Sequence, residues 1–402
     1  MDKQALKLKR IQDVDLENKK VLVRVDYNVP MEGTKVMDKT RIQETLPTLR
    51  HLLDANCKTI LLSHRGRPTT KARDQFSLKP LLPILKDILG VPVHFSEDFM
   101  GSSVQSVIDK AKPGEAVLLE NLRFHPGEEK NDNTFAKSLA QLGEYFIQDA
   151  FGTLHRAHAS TVGVPRYLPG AIGYLVQKEL KFLDRVLGNP ERPFLAILGG
   201  AKVSDKIGVI HRLMDRVDTL LIGGGMAYTF LAAQGVSVGK SLVEKNKISD
   251  AEKIIEEAYN RSLELLVSPD HLMVKEIKPD AEMVVSQAMA VQEGWIGVDI
   301  GLHTLELFTE KIAEAKTIFW NGPMGIFEIP AFAQGSLELA KAMAKATEEG
   351  AMTIVGGGDT LAVLAKAGVS KKMTHCSTGG GATLELMEGK TLPGLLALSQ
   401  QE

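Results

Sequence analysis

Short apolar runs rich in β-branched residues alternate with amphipathic segments along the first half of the chain. The runs that predict strands are Val21–Val29, Thr59–Ser63, Val91–Phe95, Ala116–Glu120 and Tyr145–Gln148. Between them, apolar residues at helical spacing predict helices over Thr40–Asn56, Leu78–Leu89, Ser102–Lys112 and Thr134–Leu142. This alternation is typical of a parallel sheet that carries helices on both faces.

The second half repeats the alternation, and glycines follow many of its strands. The predicted strands are Phe194–Leu198, Thr219–Ile222, Leu263–Val267, Thr317–Trp320, Met352–Val355 and Met373–Ser377. Helical patterns follow, for example over Val203–Val217. The sequence therefore predicts an α/β fold with two doubly wound, Rossmann-like domains, each built on a parallel sheet.

A helix with an apolar stripe lies between the two halves. Tyr174–Leu187 has helical spacing, and Gly188-Asn189-Pro190 ends the pattern. We predict domains over residues 1–172 and 190–386, joined by a hinge helix within residues 173–189. A surface helix inside one large domain is the alternative.

Composition narrows the classes of protein. A chain of 402 residues is longer than a typical single domain, which favours two domains. The net charge of −2 argues against a general nucleic-acid binder. Two cysteines far apart, Cys57 and Cys376, form no disulfide framework or zinc motif and fit a reducing cytosol. No apolar run approaches the roughly 18–20 residues of a membrane span. We expect a monomeric cytoplasmic protein with no nucleic-acid or membrane partner.

Arginines are concentrated in the first half, where 12 of the 15 lie at or before Arg192. Several polar residues there follow predicted strands, and the carboxyl ends of parallel strands share one sheet edge. The residues expected at this edge are Asp26, Asn28, Arg41, His64, Arg67, Arg123 and Arg156. Clustered guanidinium groups suit a small ligand with several anionic groups. Solvated surface arginines are the alternative.

Glycine runs mark the second half. They are Gly199-Gly200, Gly223–Gly225, Gly356–Gly358 and Gly379–Gly381, each between a predicted strand and a helical pattern. Glycine turns at helix N-termini expose backbone amides that can hold phosphate. Lys202 and Lys206 are spaced to share one helical face, and Asp359 is placed to hold a phosphate-bound Mg²⁺. Tight packing of strand on helix is the alternative role for the glycines.

Other candidates carry less information. His155 and His158 flank Arg156 and favour structural hydrogen bonding over a metal pair, because no carboxylate or cysteine completes a site. We interpret Cys376 as a buried strand residue. Glu328 is a candidate to accept a hydrogen bond from a ribose hydroxyl, but its spacing alone neither favours nor disfavours that role. Neither the dinucleotide fingerprint Gly-x-Gly-x-x-Gly nor a Walker A motif is present.

Taken together, these segments resemble the phosphoglycerate kinase family from about Val21 to Gly394. The motifs that carry the resemblance are Arg24–Pro30, Ser63–Pro68, Glu120–Phe124, Asp149–Thr161, Leu198–Ile207, Ile222–Leu231, Asn321–Glu328, Gly356–Thr360 and Ser377–Gly389. The chain departs from the family pattern at Arg65, Leu154, Ser268-Pro269 and Leu302.

The resemblance implies reversible phosphoryl transfer between 1,3-bisphosphoglycerate and MgADP, giving 3-phosphoglycerate and MgATP, in line and after hinge closure. It implies that the seven residues at the first sheet edge bind phosphoglycerate and that the tail, 387–402, returns to the N-terminal domain. The implied nucleotide site comprises Lys202, Lys206, Gly223, Gly297, Asn321, Glu328, Gly356, Gly357, Gly358, Asp359 and Thr360, with Asp359 as the metal-associated carboxylate. The implied catalytic residues are Arg41, Lys202, Lys206, Gly379 and Gly380.

Two rival functions remain open at this point. A binding protein that closes around a phosphorylated metabolite explains two domains and an arginine cluster, but not the second anion site with Lys202, Lys206 and Asp359. A dehydrogenase is disfavoured by the missing fingerprint.

Overall fold

The computed structural model describes residues 6–68 and 73–399. The chain divides into two compact units. The first unit comprises the residues up to Lys181 and those from Thr391 onward, and the second unit is Phe182–Lys390. Within the described ranges, no helix has both the length and the apolar character that a membrane crossing requires.

The first unit is built on a parallel sheet. Its strands are β1 (Lys20–Arg24), β2 (Met31–Glu32), β3 (Lys35–Val36), β4 (Lys58–Leu62), β5 (Val93–Ser96), β6 (Ala116–Leu119), β7 (Tyr145–Gln148) and β8 (Gly170–Ile172). Six of them form the sheet in the order β5-β6-β4-β1-β7-β8, and every pair is parallel. Strands β2 and β3 form a short antiparallel hairpin. The central strands are buried almost throughout because both faces of the sheet are covered.

Helices alternate with these strands. They are α1 (Thr40–Glu44), α2 (Leu46–Asp54), α3 (Leu82–Leu89), α4 (Ser102–Lys110), α5 (Asn133–Ala140) and α6 (Tyr174–Leu187). Local signals set several of their ends: Asp132 caps α5 by accepting a 2.8 Å hydrogen bond from Phe135 N, and Gly90 ends α3 with a φ of 71°. The predicted helix Tyr174–Leu187 is confirmed, and the boundary between the units falls inside it.

The second unit contains a large parallel sheet and a small antiparallel one. Its strands are β9 (Phe194–Leu198), β10 (Thr219–Ile222), β11 (Glu264–Val267), β12 (His271–Val274), β13 (Val284–Val285), β14 (Ile296–Ile300), β15 (Thr317–Asn321), β16 (Met352–Gly356) and β17 (His375–Cys376). The large sheet has the order β11-β10-β9-β15-β16-β17 and the small sheet the order β13-β12-β14. Cys376 lies in β17 as predicted, but it is half-buried rather than buried.

Seven further α-helices belong to the second unit, and the last described helix belongs to the first unit. They are α7 (Ile207–Met214), α8 (Ala227–Ala233), α9 (Ile248–Asn260), α10 (Leu302–Glu314), α11 (Gln334–Glu348), α12 (Gly358–Lys366), α13 (Gly381–Met387) and α14 (Pro393–Ser399). In α14, Gly394 N donates a 3.0 Å hydrogen bond to Leu154 O. A Cβ atom on Gly394 would lie 2.7 Å from Leu154 Cδ2, so glycine permits this close approach.

The predicted α/β class with two parallel sheets is confirmed, but several predicted elements are wrong in extent, and two of them in the first unit have a local cause. The strand predicted over Val21–Val29 ends at Arg24, because the chain turns where Asn28 N donates to Asp26 Oδ1 at 3.2 Å. The single helix predicted over Thr40–Asn56 is divided into α1 and α2 at Thr45. Thr45 Oγ1 donates to Ile42 O at 2.8 Å, and a proline follows in the first turn of α2.

Candidate functional sites

Four adjacent strands of the first sheet deliver polar residues to one edge. Strands β6, β4, β1 and β7 are neighbours, and all run parallel. The residues after their carboxyl ends are Asp26 and Asn28 after β1, His64 and Arg67 after β4, Arg123 after β6, and Arg156 after β7. Arg41 joins them from α1. The structure therefore brings the predicted residues of the first unit to a single edge, which we call the arginine edge.

Asp26 organises the centre of the arginine edge. Its Oδ2 lies 2.7 Å from Arg41 Nη1, and its Oδ1 lies 3.8 Å from His64 Nδ1. Arg41 Nη1 also donates to Asn28 O at 3.3 Å. The Arg41 guanidinium is thus oriented before any ligand binds, while about a third of its side chain stays exposed.

Gly66 links the β4 loop to its neighbours. Its amide donates to Asn28 Oδ1 at 2.9 Å, and its carbonyl accepts from Arg123 Nη1 at 2.6 Å. Arg123 Nε lies 3.1 Å from Glu129 Oε1, an ion pair without hydrogen-bond geometry. Arg67 is exposed and has no hydrogen bond or ion pair with the described part of the chain. The guanidinium group of Arg67 is therefore free among the described residues, whereas those of Arg41 and Arg123 are held by protein groups.

The electrostatic potential at this edge is strongly positive. Burial and the guanidinium groups of Arg24, Arg123, Arg156 and Arg41 lower the pKa of His64 well below its ordinary value. Burial and the adjacent Arg156 lower the pKa of His155 to about 4. Both imidazoles are therefore neutral at pH 7, and they add hydrogen-bonding groups without adding charge.

The two histidines that flank Arg156 differ in their side-chain contacts within the described chain. Arg156 Nε donates a hydrogen bond to His155 Nε2 at 3.2 Å, whereas His158 Nδ1 lies 3.9 Å from Glu128 Oε1, beyond hydrogen-bond distance. Over residues 6–68 and 73–399, no three His, Cys, Asp or Glu side chains cluster as a metal site.

In the second unit, many of the glycines serve close packing of backbone on backbone. A Cβ atom on Gly199 would lie 2.3 Å from Pro323 O, and one on Gly224 would lie 2.7 Å from Gly200 N. Gly224 also has a φ of 65°, which L side chains rarely adopt. A Cβ atom on Gly223 would lie 2.4 Å from Met324 Sδ. Close packing is therefore sufficient to explain why glycine stands at positions 199, 223 and 224.

The turns before α12 and α13 are different because they are open. The first backbone hydrogen bond of α12 runs from Leu361 N to Gly357 O at 3.0 Å, so the amides of residues 358–360 have no intrahelical acceptor. A Cβ atom on Gly358 or Gly380 would meet no atom within 4 Å. Amides without an intrahelical acceptor at a helix N-terminus are the part of this edge that can hold an anion. We call residues 356–360 the amide turn.

Lys206 is the buried cation of the second unit. It is 8% exposed, and burial lowers its pKa to about 8 despite the opposing charges of Asp205 and Asp359. It forms no ion pair within 4 Å among the described residues. The two-lysine face predicted on one helix is wrong. The helix begins at Ile207, Lys206 precedes it, and Lys202 lies exposed in the turn before.

Asn321 borders the amide turn, and Thr360 is its last residue. Asn321 is buried, and its Nδ2 has no hydrogen-bond partner among the described residues; it would lie 3.0 Å from a Cβ atom on Gly357. The Thr360 hydroxyl accepts a 2.7 Å hydrogen bond from Gly322 N and so holds the β15 loop. An unpaired buried amide group is costly unless a ligand satisfies it.

The remaining predicted residues occupy separate positions in the second unit. Asp359 is exposed at the start of α12, and Glu328 is exposed after β15. Gly297 lies in β14, where a Cβ atom would be 1.9 Å from Tyr228 Oη, and its amide donates to Ser241 Oγ at 3.0 Å. Gly379 N donates to Ser377 Oγ at 3.1 Å, which leaves Gly380 and Gly381 at the open start of α13.

Three buried residues beneath the arginine edge were not predicted from the sequence. Arg24, Glu128 and Ser160 are fully buried and hydrogen-bonded in a chain. One signal was available: Arg24 is a charged residue at the buried carboxyl end of strand β1. Ser160 and Glu128 lie more than 100 positions from Arg24 in the sequence, so no local pattern points to them.

Comparison with known proteins agrees with this arrangement. Residues 11–390 match the family model described as phosphoglycerate kinase. The phosphoglycerate kinase of Elusimicrobium minutum is 52% identical over 394 residues, covering 98% of this chain and 99% of the relative. That of Moorella thermoacetica is 50% identical over 391 residues, covering 97% and 99%.

Solved structures give the same result. Phosphoglycerate kinase from Coxiella burnetii superposes with a TM-score of 0.85 at 41% identity, covering 98% of this chain and 99% of that one. The Pyrococcus horikoshii enzyme gives a TM-score of 0.86 at 32% identity, covering 97% and 98%. The chain therefore belongs to the phosphoglycerate kinase family, and the reaction of that family is the transfer of a phosphoryl group between a nucleotide and the carboxyl group of phosphoglycerate.

Proposed function

We propose that the arginine edge is the site for 3-phosphoglycerate and 1,3-bisphosphoglycerate. Its residues would be Asp26, Asn28, Arg41, His64, Arg67, Arg123 and Arg156. The observation that carries the proposal is the set of four guanidinium groups whose charges lower the pKa of His64. Such a surplus of positive charge suits a ligand with a phosphate at one end and a carboxylate or acyl phosphate at the other.

The nucleotide is proposed to bind at the second unit, with its phosphates on the amide turn. The residues would be Lys202, Lys206, Gly223, Gly297, Asn321, Glu328 and Gly356 to Thr360. Support comes from Lys206, a buried ammonium group without an ion-pair partner among described residues, and from the unpaired Nδ2 of Asn321. Phosphate or ribose oxygens could accept hydrogen bonds from both the Lys206 ammonium group and the Asn321 Nδ2 group.

A magnesium ion is proposed to accompany the nucleotide, with Asp359 as its protein ligand. A single exposed carboxylate fits Mg²⁺, which keeps several waters and takes its other ligands from phosphates. When bound, the ion neutralises charge on the phosphate oxygens. Asp359 would hold it beside the amide turn, within the electrostatic reach of Lys206.

The transfer itself is proposed to be direct and in line. Arg41 and Lys202 would stabilise the equatorial oxygens of the transferring group, while Lys206 and the amides at Gly379 and Gly380 would add positive potential. Because donor and acceptor belong to different units, hinge closure would have to bring them together and exclude water. Action as a monomer in the cytoplasm is part of the same proposal.

Arg67 offers the cleanest test of the substrate site, because it has no hydrogen bond or ion pair that a substitution would break within the described chain. Arg67→Ala should raise the KM for 3-phosphoglycerate by about ten- to hundredfold, the effect of one charged hydrogen bond, with the KM for MgATP unchanged. Steady-state turnover measures both constants. The matched control is Arg50→Ala, an exposed arginine on α2. Equal KM values for 3-phosphoglycerate in the two variants would remove Arg67 from the site.

A further inference from the structure

A chain of buried polar groups lies directly beneath the arginine edge. Arg24, Glu128 and Ser160 have no exposed surface, although two of them carry charge. Burying a charge is costly unless partners satisfy it, so the contacts of these groups are informative.

Arg24 connects the strand to His64. Its Nε donates to Ser160 Oγ at 2.8 Å, and its Nη1 donates to the carbonyl of Val25. Its Nη2 lies 3.1 Å from His64 Nδ1. A guanidinium group has only donors, so His64 Nδ1 must accept in this contact and cannot carry a proton.

Ser160 and Glu128 fix the other side of Arg24. The Ser160 hydroxyl, which accepts from Arg24, donates to Glu128 Oε1 at 2.5 Å. Ser160 N donates to Glu128 Oε2 at 3.1 Å, so both carboxylate oxygens are held. Burial raises the pKa of Glu128, and the nearby positive charge of Arg24 opposes the rise. The hydrogen bonds all run in one direction, from Arg24 through Ser160 to Glu128.

Asp26 competes with Arg24 for the same ring nitrogen. Its Oδ1 lies 3.8 Å from His64 Nδ1 and would accept a proton from that atom. Arg24 and Asp26 therefore require opposite tautomers of His64. The distances decide between them, because 3.1 Å is a hydrogen bond and 3.8 Å is not.

We propose that Glu128 and Ser160 are positioning residues that hold Arg24 against His64 Nδ1 and thereby fix the neutral imidazole with its proton on Nε2. The proposal rests on the proposed function of His64 in the phosphoglycerate site. Nε2–H then donates a hydrogen bond to a substrate oxygen without adding charge to an edge that already has several guanidinium groups. His64 Nε2 has no hydrogen bond with the described residues, so it is available to a ligand.

Nitrogen NMR of the full-length protein with ¹⁵N-labelled histidine tests the tautomer directly. The His64 signal is assigned by its loss in His64→Gln. In the wild type at neutral pH, Nε2 should carry the proton and Nδ1 should not. In Ser160→Ala, which keeps the charges of Arg24 and Glu128, the spectrum should show a mixture of tautomers. A wild-type proton on Nδ1 overturns the proposal whether or not any variant folds, and so does an unmixed spectrum in Ser160→Ala.

Kinetics test the consequence for the substrate. Ser160→Ala should raise the KM for 3-phosphoglycerate by about fivefold, in the range of one lost hydrogen bond, and leave the KM for MgATP unchanged. Ser96→Ala removes another buried hydroxyl of the first unit, which donates to Asp98 O at 3.0 Å, and should change neither constant. A parallel change of both KM values in Ser160→Ala would indicate general destabilisation and contradict a positioning role. If the NMR result holds but Arg67→Ala leaves 3-phosphoglycerate binding unchanged, the proposed function fails and the tautomer assignment stands.

Discussion

The two parallel sheets offer an anion different chemistry at their carboxyl ends. The first presents guanidinium groups, several of them anchored before a ligand arrives: Arg41 by Asp26, and Arg123 by Gly66 O. The second presents backbone amides at the start of α12 and a single buried ammonium group, Lys206, which has no ion pair within 4 Å among the described residues. A rigid small anion can be matched by fixed side chains, whereas a flexible polyphosphate is better held along backbone. Under the proposed function, this contrast accounts for the arginines of the first half and for the open glycine turns before α12 and α13, whereas close packing accounts for Gly199, Gly223 and Gly224.

Arg41→Ala should have the largest effect on turnover, because Arg41 is the first-unit side chain proposed to contact the transferring group. We expect kcat to fall by about 10²–10³, as for the loss of one oxyanion donor, while ADP binding survives. Steady-state turnover and calorimetric titration with ADP measure the two effects. Arg50→Ala is the matched control on the neighbouring helix. Unchanged turnover in Arg41→Ala would contradict the assigned role.

The pH dependence of nucleotide binding tests whether Lys206 contributes its charge to the proposed site of the second unit. The pKa of Lys206 is lowered to about 8, so the free protein loses this charge as pH rises through that value. The affinity for ADP should therefore fall above about pH 8, at most tenfold per pH unit. Lys206→Arg keeps its charge and should give a flat profile between pH 7.5 and 9.5. The exposed Lys253→Arg should follow the wild type, and parallel slopes in all three proteins would show that Lys206 is not the titrating group.

Glu328→Ala should have the smallest effect. Glu328 is exposed and would contribute one hydrogen bond to a ribose hydroxyl. We expect the KM for MgATP to rise about two- to tenfold and kcat to stay the same. Loss of kcat instead would assign Glu328 to the chemical step rather than to nucleotide binding.

The sequence was sufficient for eleven of the twelve strands described in the two parallel sheets, because these strands are continuous apolar runs, buried on both faces. It missed β8, a three-residue strand that begins with glycine. It was insufficient for the small antiparallel sheet. There β13 has two residues, and the pairing of β12 with β14 shifts register between Leu272 and Met273, so no regular alternation marks these strands.

Long-range contacts explain the other differences. The helix predicted from Val203 begins at Ile207 because Ser204 bonds to Glu244, with its hydroxyl at 2.6 Å and its amide at 3.0 Å. Only the tertiary fold brings Glu244 to this position. In the same way, the predicted ends of the strands were enough to bring the site arginines to one sheet edge. No local sequence pattern, however, indicated that Arg24 and Glu128 interact.

The central claim is that side chains hold the ligand of the first unit and backbone amides hold that of the second. Calorimetric titration of 3-phosphoglycerate and ADP into Arg156→Ala and Gly358→Ala tests it most directly. Apart from its chain neighbours and the backbone of its own helix, the methyl group of Gly358→Ala would meet no atom within 4 Å, so we expect the fold to be retained. We predict that Arg156→Ala loses affinity for 3-phosphoglycerate alone and that Gly358→Ala loses affinity for ADP alone. Wild-type affinity for ADP in Gly358→Ala, or equal losses for both ligands in either variant, would contradict the account.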